Sequence, residues 1–89
     1  MMPDNIAKAI VRLDDTQVII EKGDRISVDN PVQDGCERKT IDCALRVLRT
    51  AIQTFSGAAQ ADADMQAEGY GDVYTISVDG TIVTLFMSA

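Results

Sequence analysis

The stretch Lys8-Ala9-Ile10-Val11-Arg12-Leu13-Asp14-Asp15-Thr16-Gln17-Val18-Ile19-Ile20-Glu21-Lys22-Gly23-Asp24-Arg25-Ile26-Ser27-Val28 decides the fold of this chain. With a two-residue turn at Asp14-Asp15, Val11 falls opposite Val18, Ala9 opposite Ile20, and Lys8 opposite Glu21. A second turn at Lys22-Gly23-Asp24 sets Ile20 against Ile26, Val18 against Val28, and Glu21 against Arg25. One register therefore places Ala9, Val11, Leu13, Val18, Ile20, Ile26 and Val28 on a single face. It also matches opposite charges across neighbouring strands. A helix over residues 6–13, capped by Asn5 with Ile6, Ile10 and Leu13 on one side, is the competing reading. The agreement of register across three segments favours strands, and a three-stranded meander is expected over residues 5–29.

Outward from the meander, Asn30-Pro31 closes it, because proline has no N–H to give to a ladder and restricts the residue before it. A main helix is then expected over residues 34–56. Asp34 and Glu37 have the spacing of a capping box. Ile41, Ala44, Leu45, Leu48, Ala51, Ile52 and Phe55 form an apolar stripe at helical period. Arg38, Asp42, Arg46, Arg49 and Gln53 fall on the other side. Gly57 is expected to interrupt the helix. Residues 57–71 form an acidic connector, of which residues 58–68 are Ala-rich with good helix propensity and one large apolar anchor, Met65; they could extend the helix, form a second short one or remain mobile.

A C-terminal hairpin over residues 72–88 turns at Asp79-Gly80, a preferred type I′ pair. Tyr74, Ile76 and Val78 share a face with Val83, Leu85 and Met87. The expected fold class is thus α+β, β-β-β-α-β-β: one domain over residues 1–89, an antiparallel five-stranded sheet with one main helix packed on one face.

The chemistry that the residues exclude narrows the function. The chain has no histidine, which removes Ser-His and Cys-His nucleophilic systems and the commonest metal ligand. Two cysteines cannot complete a structural zinc site. Cys36 and Cys43 are two helical turns apart, about 10.5 Å, too far to bridge each other. Cys36, near the helix N-terminus, is the better reactive candidate, and Cys43 is expected to pack. Asp62, Asp64 and Glu68 resemble the start of a calcium loop but lack its turn glycine and closing Glu. The reading is of a non-enzyme, with no catalytic residue, metal or cofactor.

Charge supplies the positive evidence. The net charge is -6, which disfavours direct contact with nucleic acid or an anionic membrane. No signal peptide and no membrane span are visible, and a cytoplasmic protein is expected. Residues 37–55 hold Arg38, Lys39, Arg46 and Arg49 against only Glu37 and Asp42, so the helix has a mildly basic outer face on an otherwise acidic chain. An acidic edge of Asp62, Asp64, Glu68, Asp72 and Asp79 is expected to meet a basic surface on a protein partner; the bland alternative is that it balances the basic helix face. A second candidate interface is the outer face of the sheet: Ile10, Ile19, Val73, Ile82 and Phe86.

The function expected from these features is that of a small acidic interaction protein, an inhibitor or regulator. In size, charge and missing catalytic groups it resembles phage- or mobile-element-encoded antagonists such as anti-CRISPR-type inhibitors. The order βββαββ with a low pI also resembles the central part of type III secretion chaperones, which implies a homodimeric, partner-binding chaperone as an alternative. A small-ligand-binding oligomer is a third.

Overall fold

A computed structural model describes residues 2–30, 37–58 and 69–89. Five strands and one helix follow in the order expected: β1 (Ile6–Leu13), β2 (Thr16–Glu21), β3 (Arg25–Asp29), α1 (Glu37–Ala58), β4 (Val73–Val78) and β5 (Thr81–Met87). All pairings are antiparallel, and the strands lie side by side in the order β3-β2-β1-β5-β4. The first strand in the chain is therefore the middle of the sheet, and β3 and β4 are its edges. The fold is α+β, and residues 6–13 form a strand, not a helix.

The meander keeps the register that hydrophobic alternation and charge matching demand. Val11 pairs with Val18, Ala9 with Ile20 and Lys8 with Glu21. Across the next seam Val18 pairs with Val28, Ile20 with Ile26 and Glu21 with Arg25. At the far side, Asp79 and Gly80 both take positive φ, as a type I′ turn requires. They set Ile76 against Val83 and Tyr74 against Leu85.

Helix α1 lies across the inner face. Its Ala44, Leu48 and Ala51 are buried against Ala9, Val11, Val18, Ile20, Ile76, Val83 and Leu85. Leu45, Val47, Ile52 and Phe55 flank that line. Phe55 meets Tyr74 edge to face with centroids 4.7 Å apart. Small residues at 44 and 51 let the helix axis approach the sheet closely. Arg38, Lys39, Asp42, Arg46, Arg49 and Gln53 face solvent. Thr50 and Thr54 donate their hydroxyls back to the carbonyls of Arg46 and Thr50.

Local pattern misleads at four places. Gly57 does not stop the helix, which runs to Ala58; a glycine in the last turn costs about 1 kcal/mol relative to alanine, and a long docked helix tolerates that. Cys43 is exposed, not packed, because it precedes the buried Ala44 by one residue and so points about 100° away from it. Ile26 belongs to the inner face by alternation but is 38% exposed. The helix packs chiefly over β4, β1 and β5, and the edge strand β3 projects beyond it. Conversely, Ile6 is fully buried although alternation from Lys8 would put it outside. The β1–β5 register shifts between Ile6 and Lys8, so Ile6 opposes Met87 while Lys8 opposes Phe86. The extra residue, Ala7, is a bulge that turns Ile6 into the core. The expected capping pair begins at Asp34, outside the described residues, as does Cys36.

Two corners fasten the sheet. Asn30, at φ 56, donates from Nδ2 to the Asp15 carbonyl at 3.0 Å and accepts from the buried Thr16 hydroxyl at its own carbonyl, at 2.8 Å. The end of β3 is thus tied to the β1–β2 turn. At the other end, Gly71 N–H donates to the Met87 carbonyl and Met87 N–H donates to the Asp72 carbonyl, both at 2.9 Å. A Cβ at position 71 would stand 2.9 Å from the Ser88 carbonyl oxygen, so only glycine fits that approach.

Candidate protein-binding surface

The sheet face opposite the helix is organised by register into three rows. Arg25, Glu21, Lys8, Phe86 and Val73 make the first; Ser27, Ile19, Ile10, Thr84 and Thr75 the second. Asp29, Gln17, Arg12, Ile82 and Ser77 make the third. The five residues singled out from sequence all stand on this face. Ile10, Ile19 and Phe86 are half-buried and Ile82 is 37% exposed. Val73 is different: it is buried, at 1% exposure, and offers nothing to a partner. It faces Phe86 next to the Tyr70–Asp72 segment that the Gly71 and Met87 hydrogen bonds clamp against β5.

Sequence reasoning missed how cations divide this face. The Lys8 ammonium lies 4.7 Å from the Phe86 ring centroid and 5.2 Å from that of Tyr70. Those two rings meet edge to face at 5.2 Å. An ammonium over ring faces is held by the ring quadrupoles. At the other end, Arg12 Nη1 donates to the Thr84 hydroxyl at 2.8 Å, which satisfies a threonine buried to 1% exposure at the centre of the sheet. The apolar groups are therefore not one patch. Ile10 and Ile19 form a strip between a Lys8–aromatic cluster and an Arg12–Ile82 pair. The Lys8-x-Ile10-x-Arg12 alternation was the signal for this; the part played by Tyr70 had none.

The acidic edge is only partly within view. Asp62, Asp64 and Glu68 lie outside the described residues. Asp72 and Asp79 are both exposed, and the structure does not bring them together. They bracket the edge strand β4, one at each end, roughly 20 Å apart along it. Among the described residues no group of three or more histidine, cysteine or carboxylate side chains is close enough to hold a metal ion. No described helix is long and apolar enough to cross a membrane.

No family model matches the chain, and no curated protein or solved structure is significantly similar to it.

Proposed function

We propose that this protein is a non-enzymatic, cytoplasmic inhibitor or regulator that binds a basic surface of a protein partner along the β4 edge. One observation carries the reading: exposed carboxylates, Asp72 and Asp79, bracket an edge strand. A sheet edge offers main-chain donors and acceptors to an added strand, and charges at its two ends select what is added. A segment carrying lysine or arginine at both ends is the complementary ligand. Asp62, Asp64 and Glu68 precede β4 in the chain and add to its negative charge. Machines that handle nucleic acid present basic surfaces of this kind, and an acidic domain docked on one would compete with its nucleic acid.

The test is capture of protein partners from lysate at low and high salt, followed by their identification. Basic proteins that bind at low salt and elute as salt rises support the reading. Neutralising Asp72→Asn with Asp79→Asn, which keeps a residue tolerant of positive φ in the turn, should release them. So should Asp62→Lys with Asp64→Lys. Capture indifferent to salt and to both pairs of substitutions refutes it.

A further inference from the structure

From the other edge of the sheet we infer that the protein forms a two-fold dimer by antiparallel pairing of β3 with β3 of a second copy. The strand reads Arg25-Ile26-Ser27-Val28-Asp29, and four of these residues are exposed while Val28 is half-buried. Its pairing with β2 runs through five consecutive positions without a bulge. It contains no proline or lysine, and its two charged residues, Arg25 and Asp29, stand at its ends, where they would repel a mismatched strand and admit a complementary one.

Charge fixes the occupant and the register. A two-fold axis through Ser27 sets Arg25 opposite Asp29 of the second copy, Ile26 opposite Val28, and Ser27 opposite Ser27. Both ion pairs then lie on the outer face, where Arg25 and Asp29 stand. Ile26 and Val28 lie on the inner face of each copy. The four aliphatic side chains continue the inner-face rows of Ile20 and Val18 across the seam, which covers the Ile26 surface that α1 leaves open. Shifting the axis to Ile26 or Val28 removes both Arg25–Asp29 contacts. A strand whose charges are complementary to its own reverse is what an isologous interface requires.

The same pairing at β4 is opposed. That strand has a carboxylate at each end and no cation within it. Antiparallel self-pairing there would bring Asp72 of one copy near Asp79 of the other. Dimerisation at β3 leaves both β4 edges free, so it does not depend on the basic partner proposed above.

The experiment is sedimentation of the full chain from about 10 µM to about 1 mM, the range suited to a short interface. The wild-type protein should pass from monomer to dimer. Arg25→Asp sets Asp against Asp, Asp29→Arg sets Arg against Arg, and each alone should weaken self-association roughly tenfold or more. An equimolar mixture of the two variants restores both Arg–Asp matches and should form a heterodimer more readily than either variant pairs with itself. Because Arg25 also faces Glu21 within its own chain, a second readout guards against a damaged hairpin. Ser27→Cys, with Cys36→Ser and Cys43→Ser, should cross-link to its own kind under mild oxidation, and adding Asp29→Arg should slow that. A wild-type monomer at every concentration, a dimer unchanged by either charge reversal, or a Ser27→Cys variant that fails to cross-link would each overturn the pairing.

Discussion

Ile6 and Met87 face each other across the β1–β5 seam, one step beyond a bulge that reverses the side on which Ile6 would otherwise emerge. Ile6 is completely buried and Met87 nearly so, so this contact closes the core at the end of the sheet where Ser88 N–H also donates to the Asn5 carbonyl. Ile6→Ala should therefore cost about 2–5 kcal/mol of unfolding free energy by the usual cavity penalty. Deleting Ala7 removes the bulge while leaving Ile6 opposite Met87 on the inner face, so it should cost less than Ile6→Ala. Urea denaturation of both variants against wild type measures this.

Ile20 and Ile26 are cross-strand partners on the same face, yet their substitutions should differ several-fold. Ile20→Ala opens a cavity under the helix and should lose about 2–5 kcal/mol. Ile26→Ala, at an uncovered edge, should lose under about 1 kcal/mol. Thermal unfolding at a low protein concentration, where the monomer dominates, gives the comparison.

Gly71→Ala places a methyl group against the Ser88 carbonyl and should strain or break the pair of hydrogen bonds that clamp residues 71 and 72 to Met87. A loss of about 1–3 kcal/mol is expected. Hydrogen exchange at the Met87 amide should accelerate more than exchange in the β1–β2 hairpin.

Asn30→Ala removes the bond to Asp15 and leaves alanine at a positive φ, for a loss of about 1–3 kcal/mol. Asn30→Gly removes only the bond and should cost less. The ordering of the two in chemical denaturation separates the backbone contribution from the hydrogen bond.

Cys43 should react with iodoacetamide in the native protein without prior unfolding, because its side chain is exposed. Cys43→Ser should change stability by no more than about 0.5 kcal/mol. Mass mapping of the alkylated position checks the first expectation.

The meander and the C-terminal hairpin were legible because two independent signals coincide there. Aliphatic alternation and the Lys8–Glu21 and Glu21–Arg25 matches select one register, and Asp79-Gly80 selects one turn. What failed were features that local patterns do not encode. A strand's alternation assigns Ile26 a face but not whether the helix reaches over it. The bulge at Ala7 breaks the period at one position, and a period cannot announce its own exception. Val73 and Thr84 are buried on a face read as open, where Tyr70 and Arg12 come in from elsewhere in the chain. That Ile10, Ile19, Val73, Ile82 and Phe86 share the outer face was legible. Its division by Lys8 and Arg12 was not, since that depends on which rotamers lay the cations across the sheet.

The position of β1 has a consequence for how the chain reaches this state. Its first neighbour, β2, follows at once, but its second, β5, is the last strand made. Joining distant segments forfeits chain entropy before contacts offset it, so the seam with β5 forms late. On a ribosome, the finished meander would wait with one side of its central strand bare until residues 81–87 emerged. During that interval the nascent protein would expose an unpaired strand edge, a site for aggregation, on a strand that ends with both edges paired.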